Sequence, residues 1–348
     1  MNTSVIYALA AAALFGASTP LAKLLGTEIP PVLLAGLLYL GSGIGLVLLR
    51  FIRDRGWKKS GLSVSEWPWL GGAIVFGGIL GPVALMLGLT LTSGATASLM
   101  LNLEPVLTAV LAWVVFKENA DRRIVVGMLA IIAGGIVLSW PSGQVSSVEQ
   151  SWVGPLAVAF ACLCWAVDNN LTRKVSASDA LFIAGTKGLF AGLVNCAIGL
   201  TLGASIPPLA ALSPTLLIGF LGYGVSLVLF VLALRGLGAA RTGAYFSTAP
   251  FLGAAISIVL LDESVSMLFW LAAAFMMFGV WLHLTEQHEH MHEHQPLQHT
   301  HRHIHDEHHQ HEHAEEVAPG SAHSHAHLHY PVRHNHPHFP DIHHRHRH

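Results

Sequence analysis

GATASLMLNLEPVLTAVLAWVVFKE, residues 94–118, returns later in the chain as AARTGAYFSTAPFLGAAISIVLLDE, residues 239–263. Both stretches open on small residues and place a proline inside an apolar run. Both close on a glutamate 13 residues after that proline, Pro105 to Glu118 and Pro250 to Glu263. An apolar run of about 20 residues is what a helix needs to cross the hydrocarbon core of a bilayer. The repeated block therefore reads as one membrane-spanning helix written twice, and the chain as a duplicated unit.

Working outward from these blocks, apolar stretches recur at about 4–25, 32–52, 68–91, 94–116, 123–140, 152–172, 179–203, 213–234, 239–261 and 264–284. Ten spans divide into two units of five. Leu14-Phe-Gly-Ala-Ser-Thr-Pro-Leu-Ala-Lys23 aligns loosely with Cys164-Trp-Ala-Val-Asp-Asn-Asn-Leu-Thr-Arg173. Because five is odd, the second unit enters the membrane the other way up, as in the inverted repeats of many secondary transporters. The expected fold class is an all-α integral membrane protein of two inverted five-helix repeats, residues 1–142 and 143–284. A disordered tail, residues 285–348, completes the chain.

Composition agrees with a bilayer body. The 348 residues are 53% hydrophobic and 11% charged, against about 25% charged in an ordinary soluble domain. With the N-terminus inside, twelve Lys and Arg fall in inner loops and Lys23 alone lies at the outer side, so the positive-inside rule puts both termini in the cytoplasm. The expected location is the cell (inner) membrane, crossed many times. Nucleic acid is not an expected partner, and no Ser/His, zinc-protease or phosphate-loop constellation suggests an enzyme. Cys162, Cys164 and Cys196 all fall in apolar segments and give no disulfide framework.

The ten spans, the duplicated unit, and the small-residue, Pro and Glu pattern of the fourth and ninth spans resemble the drug/metabolite transporter superfamily, EamA type. That resemblance covers about residues 1–284. It implies a ten-helix transporter with a central cavity, often an exporter of small metabolites.

Ionisable side chains inside a span are costly and mark a cavity or a partner. Glu104 lies near the middle of the fourth span, before Pro105, with Asn102 beside it and Thr108 one turn on. It is read either as a proton or cation coupling group or as half of a structural ion pair, with Lys187 as the expected partner and Asp168 as a competitor for that lysine. Asp168, Asn169 and Asn170 form a second polar cluster, with Trp165 and Thr172 a turn to either side. Fixed polar groups beside an aromatic surface suit a substrate site, and a helix cap near the inner end is the alternative. Pro105 and Pro250 are expected to loosen matching helices, because an interior proline removes a backbone hydrogen bond. Gly188 with Gly192, and Gly199 with Gly203, are spaced for close helix approach, within one subunit first and in a homodimer second. Glu118 and Glu263 are read as solvated anchors at helix ends.

The last 61 residues, 288–348, hold 23 of the 24 histidines. They follow His-x-His spacing at His288, His290, His292 and His294, at His301, His303 and His305, and at His323, His325, His327 and His329. Neutral imidazole suits Ni, Co, Zn or Cu, so these histidines are the expected ligands of transition-metal ions, with no cofactor required. A tail so poor in aliphatic residues cannot bury a core.

Three functions follow. The first is a secondary transporter of a small metabolite with a metal-binding cytoplasmic tail. The second is a divalent transition-metal (Ni/Co/Zn/Cu) exporter that gathers its cargo on the tail. The third is a membrane-anchored metal buffer or sensor. The expected partners are thus a small-molecule or metal-ion substrate and the lipid bilayer.

Overall fold

The computed structural model describes residues 3–116, 122–140, 152–175, 178–284, 289–293, 297–303, 323–329 and 333–337. The first half contains α1 (Thr3–Leu25), α2 (Pro31–Asp54), α3 (Trp67–Ala73), α4 (Gly81–Leu91), α5 (Gly94–Met100), α6 (Leu103–Phe116) and α7 (Arg122–Leu138). The second contains α8 (Val153–Thr172), α9 (Ala180–Thr201), α10 (Leu209–Gly219), α11 (Ser226–Phe246), α12 (Ala249–Leu260) and α13 (Met267–Leu284). One π-helical stretch, Ile74–Leu80, joins α3 to α4, and another, Phe220–Val225, joins α10 to α11. Among the described residues, seven helical segments are long and apolar enough to cross a membrane. The helices α7, α12 and α13 are shorter and also apolar.

Between the expected eighth and ninth spans, helix is assigned without a break through α11. A straight helix would separate Phe230 from Phe246 by about 24 Å at 1.5 Å per residue. Their rings lie 4.8 Å apart in an edge-to-face contact. The chain therefore does not run straight from Phe230 to Phe246.

Both repeated blocks break one turn before their proline. Pro105 has no N–H to offer the carbonyl of Leu101, and its ring would collide with that carbonyl in a continuous helix. Glu104 N–H takes the Leu101 carbonyl at 3.1 Å, and Asn102 N–H takes that of Leu99 at 3.1 Å. These three-residue bonds close α5 before α6 begins. The same break separates α11 from α12 at Ser247–Thr248, just before Pro250.

The two halves meet about a pseudo-twofold axis. Gly43 and Gly188 are 145 residues apart, the separation of Pro105 and Pro250. They face each other where α2 crosses α9, and a Cβ on Gly188 would fall 2.6 Å from Gly43 N. Along the same seam a Cβ on Gly192 would fall 2.5 Å from Leu40 N, and one on Gly199 would fall 3.0 Å from Leu33 Cα. The glycines expected to permit close approach do so inside one chain, whereas Gly203 has open space around it.

The pair α7 and α13 repeats the relation. A Cβ on Gly134 would meet Met276 and the Ala272 carbonyl, and one on Gly279 would meet Ile131 and the Gly127 carbonyl. Each residue in the first set stands 145 positions from its counterpart in the second. Reciprocal contacts of this kind are what a twofold relation produces.

The turn at Thr92–Ser93 is held from both sides. Lys23 Nζ donates to the carbonyls of Leu89 and Thr92, at the C-terminus of α4. Glu263 accepts the N–H groups of Gly94 and Ala95, at the N-terminus of α5, at 2.6 and 2.8 Å. Ser93 caps α5 through Thr96 N–H. Charges of these signs oppose the helix dipoles at both ends. Glu263 is thus a half-buried cap, which corrects its reading as a solvated anchor; Glu118 lies outside the described residues.

At the opposite end of the bundle Asp179 caps α9 through Leu181 N–H and accepts from Arg50 Nε at 3.0 Å and from Arg53. Arg50 also donates to the carbonyls of Lys58 and Lys59 and lies over the Phe182 ring. Two of the loop cations that set the expected orientation therefore also fasten α2 to α9.

The described segments of the tail are four short stretches. Strand β1 (Glu289–Glu293) pairs antiparallel with β4 (Arg333–Pro337), and β2 (Leu297–His303) with β3 (His323–His329). A strict one-in-two alternation is the period of a strand. His288, His294 and His305 lie outside the described residues, while His290, His292, His301, His303, His323, His325, His327 and His329 fall on these strands.

Candidate functional site

The polar residues of α6, α8 and α9 form two adjacent groups rather than one. In the first, Asn169 of α8 reaches across to α6 and donates to Glu104 Oε1 at 2.9 Å and to Thr108 Oγ1 at 3.3 Å. Thr108 sits one turn after Glu104 on the same face and donates to the Glu104 carbonyl at 2.9 Å. Asn170 bridges back along α8, donating to the Ala166 carbonyl at 2.8 Å and to the Thr108 carbonyl at 3.3 Å. Glu104, Pro105, Thr108, Ala109, Ala112, Asn169 and Asn170 line an open pocket of about 360 Å³. Asn169 is exposed, and Glu104 and Thr108 are half-buried.

The second group is an ion pair. Lys187 Nζ of α9 lies 2.6 Å from both carboxylate oxygens of Asp168. Thr172 donates to Asp168 Oδ1 at 2.8 Å, one turn along α8. The pair sits against the first π-helical stretch, where a Cβ on Gly77 would occupy the place of Asp168 Oδ2. Only glycine leaves room there for the carboxylate. The Gly77 carbonyl accepts both Tyr39 OH at 2.8 Å and Trp165 Nε1 at 3.0 Å. Wider helical turns of this kind occur mostly as local bulges and often at functional sites. The second π-helical stretch places Gly222 against Ser18, the position aligned with Asp168. The packing recurs in both halves, and the charge does not.

Of the two carboxylates read as competing for Lys187, Asp168 holds it, which corrects the expected pairing with Glu104. Asp168 and Asn169 are consecutive on α8 and leave the helix about 100° apart, so one reaches Lys187 and the other Glu104. Asn102 is also separated from Glu104. It is buried, donates to the Leu99 carbonyl at 2.9 Å and lies by Met276 at the helix break. Trp165 is buried on the Gly77 side, away from the pocket. Tyr39 and Gly77 were not among the expected site residues. The Gly77-Gly78 doublet, echoed by Gly222 and Gly224, was the available signal in sequence.

Beyond Gly77 an aromatic cluster continues inward. Tyr39 and Tyr223 lie 5.6 Å apart, and Phe15 touches Tyr223 and Phe246 at 6.1 and 5.4 Å. A second pocket, of about 210 Å³, lies at the Lys23 end between Ala22, Thr27, Met86 and Leu89. Its lysine is already engaged by backbone carbonyls.

A bundle of apolar helices duplicated about a pseudo-twofold axis, with helices broken at matching prolines and ionisable groups inside, defines a multi-pass membrane protein of the transporter class. The EamA-like transporter family matches residues 2–140 and 152–285, and the chain belongs to that family. It is 27% identical over 282 residues to an "uncharacterized transporter" of Methanothermobacter thermautotrophicus, covering 77% of this chain and 82% of that protein. It is 25% identical over 226 residues to the "uncharacterized transporter YyaM" of Bacillus subtilis, covering 62% and 73%. A crystal structure of 20% sequence identity has the same fold, with a TM-score of 0.60 over 80% of this chain and 95% of that one.

Proposed function

We propose that the protein is a secondary transporter of a small organic metabolite, crossing the cell membrane ten times with both termini in the cytoplasm. Its two five-helix repeats, one inverted relative to the other, alternate access to the Glu104 pocket. The observation that carries this reading is the half-buried carboxylate of Glu104, facing an open pocket beside a broken helix, with no described cation paired to it. A charge retained at such a depth is costly unless it is used. The Asp168–Lys187 pair fixes the neighbouring wall, and Pro105 and Pro250 supply matching points where α6 and α12 can tilt.

The oxygen and amide lining of the pocket suits an organic substrate better than nickel, cobalt, zinc or copper, for which imidazole and thiolate are the stronger ligands. Metal binding is assigned instead to the histidine tail, as a cytoplasmic buffer or sensor separate from the pathway. The test is metal and metabolite accumulation in cells carrying the intact chain, a deletion of residues 288–348, and Glu104→Gln. Metabolite flux abolished by Glu104→Gln and retained without the tail is expected. Metal export that requires Glu104 would instead establish the metal-efflux reading.

A further inference from the structure

The hydrogen-bonding capacity of the Glu104 pocket is one-sided. Thr108 spends its only hydroxyl hydrogen on the Glu104 carbonyl. Asn169 directs its amide nitrogen to Glu104 Oε1 and Thr108 Oγ1, and Asn170 directs its own to the carbonyls of Ala166 and Thr108. A hydroxyl has one hydrogen to give and a side-chain amide two, so every donor of these three residues is occupied. What remains open is acceptor capacity. Glu104 Oε2 takes no hydrogen bond from a described residue, and none is donated to Asn169 Oδ1. The remaining lining, Pro105, Ala109 and Ala112, adds apolar surface and no side-chain donor. Among the described side chains, the cation near this wall is Lys187, and it is held by both oxygens of Asp168.

We propose that this pocket takes a small organic ammonium ion, its N–H groups directed to Glu104 Oε2 and Asn169 Oδ1 and its carbon skeleton lying on Pro105, Ala109 and Ala112. An ammonium is donor-only and positively charged, which matches a pocket whose open groups are acceptors, one of them a carboxylate oxygen. A carboxylate ligand would bring acceptors to acceptors and an anion to an anion. The volume falls at the small end of the range for small-molecule sites. This rests on the reading of the pocket as the substrate site, but binding is measured without flux, so failure of transport and failure of the ammonium assignment are distinguishable.

The experiment is calorimetric or thermal-shift titration of the purified full chain in detergent with three ligands on one skeleton: n-butylammonium, n-butanol and n-butyrate. Saturable binding of the ammonium, with the alcohol and the carboxylate weaker by about ten- to hundredfold, is the expected result. Glu104→Gln should remove that preference and Glu104→Asp should keep part of it. Ala109→Phe, which fills the pocket and leaves the carboxylate in place, should block the ammonium even if Glu104→Gln does not fold. Equal binding of the three ligands, preference surviving in Glu104→Gln, or uptake of a proton by Glu104 with no ammonium binding would each overturn the assignment.

Discussion

The carboxylate of Glu263, at the end of the second repeat's broken helix, accepts the backbone N–H of Gly94, at the start of the first repeat's, at 2.6 Å. The two residues are 169 positions apart, and the contact ties the two halves together where α4 turns into α5. A capping carboxylate at a helix N-terminus contributes about 1 kcal/mol, and up to about 2 when partly buried. Glu263→Ala should therefore lower the thermal midpoint of the detergent-solubilised protein, with Glu263→Gln intermediate. An unchanged midpoint in both variants would show that the cap contributes nothing.

Asp168 and Lys187 are both largely buried, at 8% and 17% side-chain exposure. Removing one partner of such a pair leaves an uncompensated charge and costs about 3–5 kcal/mol, whereas removing both can be close to neutral. Asp168→Asn should sharply reduce the yield of folded protein in the membrane. The double replacement Asp168→Asn with Lys187→Met should recover most of it. A double variant no better than the single one would point to a role for Asp168 beyond pairing.

Gly43 and Gly188 meet at the crossing of α2 and α9, with no room for a methyl group on either side. Forcing a methyl into a packed contact costs about 1–3 kcal/mol. Gly43→Ala and Gly188→Ala should each destabilise. Combined, they should cost less than the sum, because the first substitution already separates the helices. Gly203→Ala, at a position with open space but a left-handed backbone with φ of +92°, tests strain alone and should cost about 1 kcal/mol.

The Asp179 carboxyl is held below its ordinary value of 3.8, because hydrogen bonds from Arg53 and Arg50 outweigh the opposing effect of burial. A carboxylate whose folded pKa is depressed stabilises the fold fully above its unfolded pKa, and that stabilisation is lost as pH falls through the folded value. The junction of α2 and α9 should therefore weaken only in acid below about 3.8. Thermal midpoints measured from pH 6 downward should fall more steeply in that range for the wild type than for Asp179→Asn. Parallel curves would remove Asp179 from the account.

Much of the architecture is legible along the chain because its causes are local. A proline inside an apolar run breaks the helix one turn earlier wherever it occurs, so Pro105 and Pro250 announce matching breaks. The spacing of Gly188 and Gly192 announces a close helix contact, though not that α2 is the partner. Glu104, Thr108 and Asn169 stand out because charge and amide are rare within a span. Their grouping was less legible. Asn102 and Glu104 are near neighbours in sequence but leave the helix in different directions across the break. The partner of Lys187 depended on whether α6 or α8 presents a carboxylate to α9. Glu263 looked like a solvated end residue because its partners are backbone amides, which every sequence contains.

What the sequence by itself determined is the duplication, the apolar helices, their breaks, and the presence of ionisable groups within them, since each follows from residue type and spacing along one helix. Only the tertiary structure decided that Lys187 belongs to Asp168, that Gly77 clears the space for that pair, and that Glu104 keeps an open acceptor facing a pocket. These depend on how α6, α8 and α9 are rotated about their axes. That rotation is set by packing across the pseudo-twofold axis, among residues far apart in the chain, and no local pattern encodes it.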